Sequence, residues 1–306
     1  MTLQVFGHKA PDTDATCSAI IWAWYLSEHR GTPAVARILG EPNTEAAFVL
    51  QRWSLDRPEI IDDVAPGDAV VIVDTNNPAE LPAGIGAADI REIIDHHRLT
   101  GGLETTVPIN ITVRPVACTA TILHDLMGAD ASTMPEGIKA AMLSCILSDT
   151  LEFRSPTTTD VDRALAEQLA GELDIVIADY AEELFAAKSD VSRFSEAELL
   201  RMDSKECEVD GTKYRVSVLE TTSAQSILAR KEALKDATAA VAAEDGVDEV
   251  LLFVVDILRE EATMLIQNER VKGVAERSFD KAVSGDTVVL PGVMSRKKQI
   301  IPALKG

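Results

Sequence analysis

Two stretches decide the fold: Ala69–Asp74, AVVIVD, and Ile90–His97, IREIIDHH. The first is a continuous apolar run closed by an aspartate. Such a run is expected of a strand buried on both faces, as in a parallel sheet. The second is another β-rich run that ends in an acid and two histidines. Working outward, Leu3–Phe6, Ala34–Leu39 and Val107–Val113 also read as strands. Between them Ala15–His29, Thr44–Trp53, Cys118–Met127 and Glu136–Leu147 have helical length and pattern. Strands that alternate with helices predict an α/β domain: a mostly parallel sheet flanked by helices, here expected on both faces.

From Asp160 to Ala187 the pattern is helical and acidic. It gives way to the polar stretch KSDVSRFSEAEL, residues 188–199, in which Ser192 or Ser195 is suited to cap a new helix. The expected organisation is an N-terminal domain over residues 1–188, a hinge linker at 189–194, and a C-terminal domain over 195–306. In the second domain Glu206–Val209 and Tyr214–Leu219 flank Asp210-Gly211, a strong hairpin signal. A long alanine-rich helix, Ala224–Ala243, and strands at Glu249–Val255 and Ala262–Ile266 complete a smaller α/β domain with a mixed sheet.

The chain carries 50 acids against 29 bases, a net charge of −21. That balance disfavours nucleic-acid backbones and anionic membrane surfaces as partners. The start, MTLQVFGHKAPDTD, has no basic segment ahead of its short apolar run and reads as a buried strand, not a leader. No apolar stretch has the length of a membrane span. Cys17, Cys118, Cys145 and Cys207 are scattered, without a C-x-x-C pair, as in a reducing compartment. The expected location is the cytoplasm.

The chemistry-bearing residues fall where such a sheet collects ligands. His8, Asp12 and Asp14 follow the first strand, Asp74 ends AVVIV, and Asp95, His96 and His97 end the next strand. Asp149 closes the apolar run MLSCILS. Open α/β sheets bind ligands at the carboxyl ends of their strands. A D-x-D beside Pro11, or one aspartate after a strand, is often only a turn or a cap. Two adjacent imidazoles and a carboxylate at a strand end have no good packing rationale. Mixed Asp/His shells suit Mn²⁺, Zn²⁺ or Co²⁺, and a bridging carboxylate suits a pair of ions. His29 and His124 lie within helices and read as structural.

Near the C-terminus Ser295-Arg296-Lys297-Lys298-Gln299 places three consecutive bases in an acidic chain. The bland alternative is a solvated tail, but the apolar Ile300-Ile301 that follows argues for an ordered segment. Arginine grips phosphate oxygens as a rigid fork and lysine adds a mobile charge.

Taken together, GHKAPDTD, VDTN, DHH, CTAT and SDT in the first domain and SRKKQ in the second closely resemble the family II inorganic pyrophosphatases of the DHH phosphoesterase superfamily. The resemblance covers nearly the whole chain in order and spacing. It implies hydrolysis of pyrophosphate to two phosphates by a metal-activated water, with two Mn²⁺ or Co²⁺ ions and a Mg²⁺ delivered with the substrate. One ion would be held by His8, Asp12, Asp74 and Asp149, the other by Asp14, Asp74, His96 and Asp149. Asp95 would support the histidines. His97, Asp14 and Asp74 would act in catalysis, and Lys205, Arg296, Lys297 and His97 would bind substrate. The resemblance also implies closure of the site between the domains and a homodimer formed through the N-terminal domain. One departure stands out: relatives commonly read D-H-N-E where this chain has Asp74-Thr75-Asn76-Asn77.

Two neighbouring activities stay open on the residues alone. A phosphodiesterase for short oligonucleotides or cyclic dinucleotides would need a stacking platform. After residue 200 the aromatics are Tyr214, Phe253 and Phe279, which is thin for that purpose. A short-chain polyphosphatase would use the same chemistry. A non-catalytic sensing module would be expected to have lost ligands, and the six proposed here are all present.

Overall fold

The structure, a computed structural model, describes residues 2–305; the expected outer domain limits, residues 1 and 306, lie outside them. The chain forms two compact units, Met1–Lys188 and Ser189–Gly306.

The first unit is built on six strands: β1 (Leu3–Phe6), β2 (Ala34–Ile38), β3 (Glu59–Ile60), β4 (Ala69–Val73), β5 (Asp89–Asp95) and β6 (Asn110–Val113). Their order is β3-β2-β1-β4-β5-β6, and every pairing is parallel. The chain leaves β1 toward β2 and later returns to the other side of β1 as β4. The order therefore reverses between β1 and β4, and a crevice opens at their carboxyl ends. Strand β4 is buried at every position, as its unbroken apolar run predicts.

Alternation along the strands splits that burial between two cores. Val71 and Val73 face α1 (Thr13–Glu28), α2 (Thr44–Arg52), α3 (Thr119–Met127), α4 (Glu136–Thr150), α5 (Asp160–Leu173) and α6 (Ile177–Lys188), which share one core. Helix α4 is its centre: Ala140–Ser148 are all buried, so its apolar character runs all round rather than along one stripe. Val70 and Ile72 face the other way, onto Leu81, Ile85 and Ala88. That second face is covered by short 3₁₀ turns at Pro78–Glu80 and Ala83–Ala87, not by α-helices as expected.

Other boundaries also differ. The helical region Asp160–Ala187 is two helices, because Asp174 turns left-handed (φ 54°) and ends α5. β6 is shorter than Val107–Val113, and the two-residue strand β3 had no pattern to announce it.

The second unit holds β7 (Ser204–Val209), β8 (Thr212–Thr221), β9 (Glu249–Asp256), β10 (Glu261–Leu265) and β11 (Thr287–Pro291), ordered β11-β10-β9-β8-β7. The β8–β9 pair is parallel and the other pairs are antiparallel. Asp210 and Gly211 both have positive φ, as a tight hairpin between β7 and β8 requires. One face packs on α7 (Glu196–Met202), α8 (Ala224–Leu228) and α9 (Lys231–Asp245), the other on α10 (Glu269–Phe279). Ser195 caps α7 with a reciprocal capping box to Glu198. The alanine-rich helix is broken near Arg230, whose guanidinium reaches Val191 O, Phe194 O and Glu196. Among the described residues, no helix is long and apolar enough to cross a membrane.

Candidate metal centre

Asp74 stands immediately after β4, at the point where the strand order reverses. Its backbone is left-handed (φ 59°), a conformation that aspartate tolerates better than most residues. The turn aims the two carboxylate oxygens at different histidines. Oδ2 lies 3.5 Å from His8 Nε2, and Oδ1 lies 3.3 Å from His96 Nε2.

His8 arrives from the loop after β1. Gly7 makes this possible, since a Cβ there would come within 2.7 Å of Ala15 Cβ and 2.9 Å of its Cα. His8 Nδ1 is 2.7 Å from Lys9 O, and His96 Nδ1 is 3.2 Å from Val116 O. With Nδ1 turned to a carbonyl, each ring presents Nε2 to the carboxylates, the orientation usual for a metal-binding imidazole.

Three overlapping groups converge: His8/Asp12/Asp74, Asp14/His96/Asp149 and Asp74/His96/His97, with ligand atoms in each group lying within 4.8 Å of one another. Asp12 serves twice. Its Oδ1 caps α1 through Ala15 N at 3.0 Å and lies 3.6 Å from His8 Nε2. Asp14 is fully buried and rests on the start of α3, accepting from Thr119 N (2.6 Å) and Ala120 N (3.3 Å), and from Ser18 Oγ (2.8 Å). A helix N-terminus favours negative charge, which offsets part of the cost of that burial. Thr119 Oγ1 also donates to Asp74 Oδ1 at 3.1 Å. Asp149 comes from the last turn of α4, with Oδ2 4.0 Å from His96 Nε2.

Asp95 stands apart from the three groups. It is buried and accepts from Asn76 Nδ2 and from His97 N (3.0 Å), while His97 Nδ1 lies 2.9 Å from its Oδ1. His97 itself is half exposed. Asn76 further ties the loop, donating to Arg98 O and accepting from Thr100 N at 2.8 Å. The departure at Thr75 and Asn77 is absorbed locally: both side chains bond the carboxylate of Glu80.

Acidic and imidazole groups crowd one another at this site. Burial alone would lower the His8 pKa, but hydrogen bonds to Asp12 and Asp74 outweigh it and push it up to about 11. His96 is pushed up to about 9 in the same way, chiefly by Asp74. Burial, then the Asp74 charge, raises Asp14 to about 8, and burial with Asp14 and Asp74 raises Asp149 well above the carboxylate range. Asp74 is held low by the two histidines in spite of burial. Carboxylates crowded in this way favour either protonation or a positive charge among them. The donor set, oxygen and imidazole without thiolate, fits Mn²⁺ or a similar ion.

In the second unit Lys205 lies exposed on β7 opposite Val216. Arg296 and Lys297 open a helical turn, Arg296–Ile300, that Ser295 caps. Gln299 locks this turn: Oε1 accepts from Met294 N and Ser295 N, and Nε2 donates to Gly292 O. Arg296 pairs with Asp203 at 2.6 Å. The roles of Thr119, Asn76 and Asp203 are not legible in the sequence, where each is an ordinary polar residue inside a longer motif.

Fold and site define the class: residues 2–150 match the DHH family, N-terminal domain, and residues 182–306 match the DHHA2 domain. Over 98% of its length the chain is 35% identical to a “Probable manganese-dependent inorganic pyrophosphatase” of Lactobacillus acidophilus, covering 96% of that protein. A protein of the same description from Deinococcus radiodurans is 40% identical over 99% of this chain and 98% of its own. The crystal structure of a Methanococcus jannaschii protein assigned to the family II inorganic pyrophosphatases superposes with a TM-score of 0.62 at 32% identity, covering 99% of this chain and 98% of that one. The chain belongs to the manganese-dependent, family II inorganic pyrophosphatases. An exopolyphosphatase-related protein from Bacteroides fragilis shares the fold at 12% identity and a TM-score of 0.50.

Proposed function

We propose that the chain hydrolyses inorganic pyrophosphate to two phosphates at a dinuclear metal site. His8, Asp12, Asp74 and Asp149 would hold one ion, and Asp14, Asp74, His96 and Asp149 the other. The observation that carries this reading is Asp74, whose two oxygens face histidines from two different loops. Bound Mn²⁺ or Co²⁺ supplies Lewis acidity, which brings the pKa of water toward neutrality and offsets phosphate charge.

The protein's own groups do the rest. His97 Nδ1 is fixed on Asp95, so Nε2 is left to meet substrate. The Asp95 hydrogen bond raises the His97 pKa against the effect of burial, which keeps a proton at hand for a phosphate oxygen. Lys205, Arg296 and Lys297 grip the phosphates, aided by a Mg²⁺ that arrives with the substrate. Since these bases belong to the second unit, the reading includes closure of the units about a hinge at residues 189–194, which would exclude water. Edge strand β6, with Ile111 exposed on it and Val107 exposed just before it, supports pairing of two copies through the N-terminal domain. A cytoplasmic location and the absence of a nucleic-acid partner belong to the same reading.

The test is phosphate release by metal-stripped protein resupplied with Mn²⁺, Co²⁺, Zn²⁺ or Mg²⁺. Pyrophosphate, tripolyphosphate and a dinucleotide serve as parallel substrates. Mn²⁺- or Co²⁺-restored cleavage of pyrophosphate above the other two is expected. Dinucleotide cleavage without pyrophosphate cleavage sinks the assignment.

A further inference from the structure

Glu45 is a fully buried carboxylate at the second position of α2, outside all three candidate ligand groups. Its Oε2 accepts from Thr13 Oγ1 at 2.8 Å and from Ser148 Oγ at 2.6 Å. Lys188 Nζ lies 3.3 Å from the same oxygen and donates to Ser148 Oγ at 3.0 Å. Thr13 sits between Asp12 and Asp14, and Ser148 directly precedes Asp149. One buried oxygen thus bonds the chain neighbours of three candidate ligands that come from two helices. The start of α2 holds the same loop a second time, through Asn43 N to Pro11 O at 3.0 Å.

The arrangement is poorly suited to stability alone. Burying the carboxylate of an ion pair costs desolvation, and the attraction of a partly exposed lysine offsets it only in part. Moreover, Glu45 Oε1 is buried without a hydrogen-bond partner, whereas a network kept for stability would satisfy both oxygens.

We propose that Glu45 and Lys188 are positioning residues, which set the Asp12–Asp14 segment against Asp149 and so fix the relation between the two metal positions. Lys188 closes the first unit, next to the linker, so the contact also ties the start of the linker to the ligand at Asp149.

The proposal rests on the dinuclear reading, and its test is read on metal binding. Metal-free wild type, E45Q, K188M and K188R are titrated with Mn²⁺ by calorimetry and by electron paramagnetic resonance, and melted in EDTA. E45Q is expected to melt near wild type in EDTA. It should bind the second Mn²⁺ about tenfold more weakly, the scale seen when outer partners of ligands are lost, and lose the spin-coupled signal of paired ions. K188M should follow E45Q and K188R should restore the wild-type titration. A merely structural role would lower melting without changing the ratio of the two affinities. Two wild-type affinities in E45Q overturn the proposal. If E45Q does not fold, unchanged binding in K188M, whose side chain is partly exposed, overturns it equally. Uptake of a single Mn²⁺ by wild type defeats the dinuclear reading instead, and Glu45 is then judged by whether E45Q weakens that one ion tenfold.

Discussion

At Asp74 two demands meet in one residue: a left-handed backbone, and a carboxylate divided between His8 and His96. Such a backbone costs of order 1 kcal/mol or more and persists where the surroundings dictate it. Here the fixed points are Asp74 N, donating to Ile94 O at 2.9 Å, and Thr119 Oγ1 on the carboxylate. The proton inventory follows from the same crowding. With pKa values pushed up to about 11 and 9, His8 and His96 favour their protonated forms at pH 7, and burial beside Asp74 shifts Asp14 in the same direction. Metal ligation requires each of them without its proton. Mn²⁺ uptake near neutrality should therefore release more than one proton, and affinity should climb as pH rises toward those values. Calorimetry in buffers of different ionisation heat measures this directly; a binding heat independent of buffer would refute it. The candidate ligands were legible in the sequence because two adjacent imidazoles and a carboxylate at one strand end have no good packing rationale. Glu45 was not, because an acid in the first turn of a helix ordinarily serves only the helix dipole.

Among the elements, α3 does the most to shape the site, and α5 holds it there. Asp162, in the first turn of α5, accepts from Ala117 N (3.0 Å) and Thr121 Oγ1 (2.7 Å) at the start of α3, and also from Thr159 N and Oγ1. Thr159 completes the capping box of α5. The two roles separate by mutation. Thr159→Ala removes the cap and one of the hydrogen bonds that Asp162 accepts, leaves those from Ala117 and Thr121, and should cost about 1 kcal/mol. Asp162→Ala also frees Ala117 and Thr121 inside the core and should cost about 3 kcal/mol. Asp162→Ala should weaken Mn²⁺ binding as well, because Thr119 and Ala120 would no longer be held against Asp14. Urea unfolding of the metal-free protein, paired with Mn²⁺ titration, checks both; equal costs for the two variants would disprove the division. The elements themselves divide by the kind of signal they carry. β4 and the β7–β8 hairpin were legible from an unbroken apolar run and from Asp210-Gly211. The break between α8 and α9 was hidden because alanine propensity favours a continuous helix. What interrupts it is Arg230 reaching carbonyls that are distant in sequence. Helix α10 and strand β11 were missed as well.

On the scale of the molecule, candidate ligands and bases belong to different units, and that separation makes the proposed clamp testable. All six candidate ligands lie before Lys188, whereas Lys205, Arg296 and Lys297 lie after it. A net charge of −21 opposes the approach of an anionic substrate, so in the proposed clamp the local bases would supply the attraction. Arg296 is held in place: Asp203 pairs with its guanidinium, and the turn that carries it is fixed by Gln299. Arg296→Ala should therefore leave Mn²⁺ stoichiometry and affinity unchanged. It should also lower kcat/KM for pyrophosphate about 10²-fold, the scale expected for one donor to a charged transition state. Arg296→Lys should recover only part of the loss, since an ammonium cannot reproduce the two-pronged fork. Gln299→Ala should fall between wild type and Arg296→Ala, because it loosens the turn and keeps the guanidinium. Steady-state kinetics beside Mn²⁺ titration of the same preparations separates the units. Full activity in Arg296→Ala removes the clamp from the mechanism, and a parallel loss of Mn²⁺ binding shows that the two units do not divide the work as proposed.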